Sequence, residues 1–419
     1  MTAVLIGATA IAAQASSSSG AQVDPTAYGA KCDGVTDDHV ALIKWAGALQ
    51  PGVIGFLPGH CLTSTPIAFP DISGITIRGN GGINSSLIYV GAATTGDIFI
   101  FGGVTPVNSL FLDHVEFETT TTMTSGALLH IMNVVNSTMT GVYAGVNLNK
   151  ASTGLWLDND GELLIDGQWF FNGSANGVLM TGASGTGSPG DVWLKGGGEI
   201  ANGAGIGLHI AGGVNGLNME AGDVIGNAQN LVVDESMVAT SNKILSFGAE
   251  TFFDIQTSTT RPNVEFVVST NTVQDYVHFD GTWIASSGTS QPCVQVDAGW
   301  QGMIDFQQGT IANCSASGAV INSWTAAVVF NGTTFLNVNP YAINNVRADP
   351  NVAAKAYISA WVPIAYNGPV QPILSPLGSP LATWAPNQSC SPGQFSVDAN
   401  YIYVCTALNT VKRAPLSSF

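Results

Sequence analysis

Glu199, Glu220, Asp223 and Glu250 make residues 199–250 the stretch of this chain best equipped for acid–base chemistry. Two carboxyl groups about 5 Å apart on either side of a glycosidic bond can split it, one donating a proton while the other attacks or stabilises the sugar. Their mutual repulsion raises one pKa and keeps that proton available near neutrality. Trp193 lies near these acids in sequence, and Trp169 and Trp283 recur at related positions. An indole face suits the apolar side of a sugar ring. The plainer alternative is a solvated acidic face above a core that holds the tryptophans.

Other constellations are weaker. Asp158, Asp160 and Glu162 offer oxygen ligands at alternate positions around Gly161, with Asp166 just beyond, as a calcium loop would. The full loop pattern is absent, and such a run between strands also serves as an ordinary turn. There is no CxxC or Cys/His cluster for zinc, no P-loop and no Ser/His/Asp ordering, so no metal or cofactor is expected. The Gly-Ala-Gly-Ile-Gly run at 203–207 precedes no helix and reads as corner chemistry. His130, Trp156, Leu179 and His209 take the middle, outward place of their segments. An apolar outward column of this kind points to subunit packing, here a homotrimer.

What positions these residues is a repeat. LLIDGQWFFN (163–172), DVWLKGGGEIAN (191–202) and GLNMEAGDVIGN (216–227) each bring an apolar residue shortly before Asn, and looser copies follow to 337. Taking Phe170, Ile200, Ile225, Phe252, Ile284, Ile311 and Phe335 as equivalent gives steps of 24 to 32 residues. A second set of segments, among them GLWLDN, GVLMTG and GLHIAG, alternates with the first, both with period-two patterning and Gly or Asn corners. Short strands at this spacing predict an all-β chain, a single-stranded right-handed parallel β-helix. Its coils stack about 4.8 Å apart, so acids at equivalent places on neighbouring coils meet the spacing that hydrolysis needs. Counting back two places from the aligned residue puts Asp223 and Glu250 in one column, with Glu199 and Glu220 close by. Asn172, Asn202, Asn227, Asn313 and Asn337 are expected to stack as amide ladders.

The stretch 23–62 reads VDPTAYGAKCDGVTDDHVALIKWAGALQPGVIGFLPGHCL. Thr36 can cap a helix, and Val40, Ile43, Ala46 and Leu49 give helical spacing, so an amphipathic lid over the first coil is expected. The Tyr-Gly-Ala-Lys-x-Asp-Gly-x-Thr-Asp-Asp run and the Gly-Phe-Leu-Pro-Gly strand at 55–59 resemble the N-terminal signature of the pectate-lyase-like β-helix superfamily. That superfamily includes phage tailspikes, polygalacturonase relatives, lyases and epimerases. The resemblance covers about forty residues and implies fold more than chemistry. The paired-Asp, Gly-His-Gly and Arg-x-Lys motifs of polygalacturonases are missing, which argues against pectin.

The expected organisation is an apolar, Ser-rich segment at 1–22, a cap at 23–70, the β-helix at 71–346, a Pro-rich linker or arm at 347–386, and a small C-terminal β-hairpin module at 387–419 with its turn at Asp398-Ala399-Asn400. Residues 2–15 resemble the apolar part of a signal peptide without a preceding base. No other stretch is apolar enough to span a membrane. Fifty glycines, 45% hydrophobic and 9% charged residues exclude a disordered or coiled-coil chain. A net charge of -17 with no basic cluster excludes nucleic acid as a partner. Cys32/Cys61, Cys293/Cys314 and Cys390/Cys405 form local pairs, either disulfides or buried thiols; disulfides would fit a virion surface or an exported compartment.

The reading that follows is a β-helix that binds and degrades a polysaccharide, capsule, lipopolysaccharide or exopolysaccharide, on a virion tail or in the extracellular space. Hydrolysis is favoured over elimination because Lys195, Lys243 and Arg261 are too few for the latter. The alternatives are a receptor-binding spike or adhesin that grips a glycan without cutting it, a polysaccharide lyase, and a purely structural virion or surface-layer protein.

Overall fold

Each repeat folds into short strands in which every second side chain turns inward, because the coil must bury one face and solvate the other. The computed structural model describes residues 21–346, apart from 82–83, 183–190, 212–213, 215, 235–243, 268–274, 287–289 and 324. Beyond 346 it describes the strands Ala356–Ser359, Tyr366–Asn367, Val370–Pro372, Phe395–Val397, Tyr401–Ala407 and Thr410–Pro415. Residues 1–20, Lys243, Cys390 and the 398–400 turn lie outside the described residues.

The chain forms a parallel β-solenoid of about 10 turns. Three faces run its length. Face A includes Gly161–Asp166, Val192–Leu194, the start of Gly216–Ile225, the start of Ile244–Asp254, Asp275–Asp280 and Gly302–Gln307. Face B includes Glu116–Thr119, Phe170–Phe171, Glu199–Ala201, the ends of Gly216–Ile225 and Ile244–Asp254, and Trp283–Ala285. Face C includes Thr153–Asp158, Asn176–Thr181, Ile206–Ile210, Gln229–Asp234, Val264–Val267 and Val294–Val296. Every pairing between coils is parallel, and the inward residues form one continuous apolar core. On face A, Phe247, Phe279, Phe306 and Phe330 stack with centroids 4.9, 4.7 and 5.0 Å apart, the repeat of the coil itself.

Helix α1 (His39–Ala48) closes the first coil; Ala46 and Leu49 are buried as expected, but the first turns present a different face. Ala41, Leu42, Trp45 and Ala46 are buried, whereas Val40 and Ile43 are 55% and 51% exposed. The buried set follows an i, i+3, i+4 stripe that carries the Trp45 indole onto the core, a larger apolar surface than Val40 and Ile43 offer. Trp45 Nε1 donates to Val23 O at 3.2 Å. Gly55 makes this approach possible, since a Cβ there would lie 2.6 Å from Leu49 and 3.0 Å from Trp45. Thr36 does not cap the helix: Asp38 holds the N-cap position while its carboxylate accepts from Lys31 N and Cys32 N.

Cys32–Cys61 and Cys293–Cys314 are disulfides. The second joins residues 21 apart on adjoining turns. The asparagines divide into two kinds. Asn337 donates to Asn313 at 3.2 Å, both with left-handed φ, as a ladder requires. Asn172 and Asn227 are buried and instead donate to the carbonyls of Ala201 and Ile200. Asn202 is left-handed at its corner.

The Pro-rich stretch is not wholly a linker. Ala356–Ser359, Tyr366–Asn367 and Val370–Pro372 extend the parallel stack past residue 346. Among the described residues Val370–Pro372 is the last strand of face A, with Pro372 opposite Ile358. Phe395–Val397, Tyr401–Ala407 and Thr410–Pro415 make a separate antiparallel sheet, three strands in place of the expected hairpin.

Candidate functional site: a carboxylate and aromatic column on face B

The outward column of face B runs Phe170, Glu199, Asp223, Phe252, Trp283 on five consecutive coils. Two carboxylates are therefore direct register partners, flanked by aromatic rings on both sides. The column spans roughly 19 Å at the parallel-strand spacing. Glu199 and Phe252 are exposed, and Phe170, Asp223 and Trp283 half-buried.

This corrects the expected pairing of Asp223 with Glu250. Asp223 faces Phe252, and Glu250 faces Ala221. The inward residues are Phe171, Ile200, Val224, Phe253, Ile284 and Ile311, so the sequence alignment slipped by one place at Phe170, Ile225 and Phe252. At each slip two apolar residues adjoin, and either could have turned inward.

Burial pushes the Asp223 carboxyl up, and the negative charge of Asp254 adds to it. Asp254 stands on the next coil, opposite Ile225. Glu220 and Glu250 lie at the corner between faces A and B and are exposed. Glu220 is committed to Lys195, with Nζ and Oε1 2.9 Å apart.

The three tryptophans part company. Trp283 belongs to the acid column. Trp193 stands on face A between Leu164 and Asn218. Trp169 is 2% exposed, donates from Nε1 to Lys195 O at 2.7 Å and stacks on Phe171, so it is a core residue and not a sugar platform. Its ring lies directly under Gly198, where a Cβ would come within 1.8 Å.

The suspected calcium run is not gathered into a site. Asp160 is buried and accepts from Val134 N at 2.7 Å; burial drives its carboxyl well up, with Asp158 adding to the rise. Asp158 accepts from Thr181 Oγ1 at 2.8 Å, and Glu162 is exposed. Among the described residues only Cys32, Asp38 and Cys61 bring three possible ligands together, and those sulfurs are bonded to each other.

Face C carries the expected column His130, Trp156, Leu179, His209 in register. His130 is 1% exposed within the single chain, however. Its ring stacks on Trp156 at 4.1 Å, and Nδ1 meets Asp97 Oδ2 at 2.9 Å. Burial opposes ionisation of Asp97, but hydrogen bonds from His130 and Ala127 N and the His130 charge outweigh it and hold the carboxyl low.

Further along face C lies a groove of ≈ 330 Å³ that sequence reasoning missed. Glu265 stands in it, accepting from Gln229 Nε2 at 2.8 Å and Gln295 Nε2 at 3.2 Å. Burial raises the Glu265 carboxyl, and Asp297 and Asp234 add to this against the Gln229 hydrogen bond and the Arg261 charge. Gln229, Glu265 and Gln295 come from three successive coils, so only an alignment of the second strand set could have shown them together.

No family model matches the chain, and no curated protein matches its sequence. Among solved structures, the gp42 tailspike of Acinetobacter phage vb_AbaP_AS12 is similar over 89% of this chain and 68% of its own, at 12% identity and a TM-score of 0.54. The A-module of the mannuronan C-5 epimerase AlgE4 of Azotobacter vinelandii is similar over 79% of this chain and 100% of its own, at 12% identity and 0.51. PfbA, a surface adhesin of Streptococcus pneumoniae, is similar over 84% and 99%, at 10% identity and 0.50. These likenesses show the fold alone, a parallel β-helix, which is the fold that the resemblance of residues 23–62 implies.

Proposed function

We propose that this protein binds a polysaccharide along face B and hydrolyses it between Glu199 and Asp223. The observation that carries this reading is their direct register, with Phe170 on one side and Phe252 and Trp283 on the other. One coil spacing between carboxyl-bearing strands suits a retaining mechanism. Asp223, with its raised pKa, serves as the general acid, and Glu199 as the partner on the opposite side of the sugar. Neither Lys195, held by Glu220, nor Arg261, in the face C groove, stands in this column, which favours hydrolysis over elimination.

The setting is a virion tail or the extracellular space, with capsule, lipopolysaccharide or exopolysaccharide as the ligand class. Homotrimer packing through face C remains part of the proposal, resting on the half-buried Trp156, Leu179 and His209. His130 is already covered and adds no contact area. A monomeric mass by light scattering would rule it out.

A second reading, glycan binding without cleavage, draws on the face C groove. A carboxyl held by two glutamine amides in a concave polar site is suited to gripping sugar hydroxyls. A reducing-end assay on bacterial surface polysaccharides separates the two. New reducing ends that disappear in Asp223→Asn support the hydrolase; binding with no product supports the second reading.

A further inference from the structure

Face A holds another column that the glycosidic reading does not use. Ser246 pairs with His278, and His278 with Asp305, on three successive coils. Asn218 and Trp193 continue the column one and two coils earlier. Nδ1 of His278 lies 3.4 Å from Oδ2 of Asp305. Nδ1 makes no hydrogen bond at that distance, and the oxygen accepts from Gln307 Nε2 at 2.8 Å and from the Tyr276 hydroxyl at 3.4 Å. The Tyr276 ring lies nearly parallel to the imidazole, with centroids 6.0 Å apart. Asp305 is buried at 4% exposure, whereas His278 and Ser246 are half-buried. Burial thus deepens from the residue that would meet a substrate to the one that would orient the base.

We propose that Ser246, His278 and Asp305 form a second catalytic site, a serine hydrolase that removes small acyl esters from alcohols. The order of roles follows from the register of the three strands. Asp305, fixed by Gln307 and Tyr276, faces Nδ1 of His278, which leaves Nε2 as the nitrogen available to Ser246. Ser246 Oγ attacks the acyl carbonyl carbon as its proton passes to His278 Nε2. The bond from the acyl carbon to the alcohol oxygen breaks, and that oxygen takes the proton. Water then attacks the acyl-serine, giving a proton to His278, which returns it to Oγ as the carboxylic acid departs. The Asn218 amide, on the coil beside Ser246, donates to Glu220 Oε1 at 3.4 Å and would turn from it to donate to the oxyanion. Trp193 offers an apolar platform two coils from the serine, which suits a sugar ring as the alcohol; that last point alone rests on the polysaccharide reading.

The full chain is treated with a fluorophosphonate probe, and the labelled peptide is mapped by mass spectrometry. Turnover of p-nitrophenyl acetate is measured alongside. Expected are a label on Ser246, loss of label and turnover in Ser246→Ala and His278→Ala, and labelling roughly 10²- to 10⁴-fold slower in Asp305→Asn. Thermal melts confirm that each variant is folded. Absence of labelling in the intact chain overturns the proposal, as does labelling that survives in Ser246→Ala. Neither readout involves reducing ends, so failure of this site is distinguishable from failure of the glycosidic reading.

Discussion

Glu199 and Asp223 are register partners on neighbouring coils of one parallel sheet, and burial, helped by Asp254 on the coil beyond, raises the pKa of the second. Proton donation by Asp223 therefore extends to higher pH than an ordinary aspartate allows. Asp254→Asn removes a negative charge, so the Asp223 pKa falls and the alkaline limb of kcat/KM moves to lower pH. Burial is the larger cause, so part of the elevation persists. A limb that does not move in Asp254→Asn would show that Asp223 is not the group titrating.

Asp223→Asn and Glu199→Gln are each expected to lower reducing-end release by at least about 10²-fold, the usual worth of a positioned acid or base. Glu250→Gln, whose side chain belongs to the exposed corner opposite Ala221, is expected to leave the rate within about twofold. Equal losses in all three would remove the register argument.

Gly198→Ala tests how face B is built. The added methyl meets the Trp169 ring and must displace a buried indole that also donates to Lys195 O. Overpacking of this kind costs about 1–3 kcal/mol, read as a lower urea midpoint. The strain lies next to Glu199, so activity should fall as well; a midpoint at the parental value would contradict the packing.

Glu116 links the fold to pH. Burial, with Glu118 as a lesser cause, lifts its pKa from 4.5 to about 7. The folded state binds the proton more tightly than the unfolded state, so this stability is full below about pH 4.5 and is lost as pH rises through about 7. Glu116→Gln should raise Tm at pH 8 relative to the parent and leave it nearly unchanged at pH 4. A larger gain at pH 4 than at pH 8 would reverse the sign and refute it.

The Cys293–Cys314 bridge closes a loop of 21 residues between coils. By loop entropy, its replacement by a pair of alanines is expected to cost about 3 kcal/mol in urea unfolding. Loss of less than about 1 kcal/mol would mean that the buried stack holds this turn without the bond.

Sequence by itself determined the solenoid. Period-two patterning, Gly and Asn corners, a repeat of roughly 24 to 32 residues and the signature at 23–62 all depend on local chemistry; the inward residues of the structure step by 24 to 31. It also determined the His130–Trp156–Leu179–His209 column, because in segments such as LLHIM and GLHIA a polar residue stands between two apolar ones and its outward direction is unambiguous. Register was different. Phe170-Phe171, Val224-Ile225 and Phe252-Phe253 each place two apolar residues side by side, and a one-residue slip turns every side chain to the other face. Only stacking against the neighbouring coils chose Phe171, Val224 and Phe253 for the core. That choice paired Asp223 with Glu199 instead of Glu250, buried Trp169 and left Trp283 on the wall. The columns Ser246–His278–Asp305 and Gln229–Glu265–Gln295 join residues about thirty positions apart. Such residues become neighbours only when coils of unequal length close on the same core.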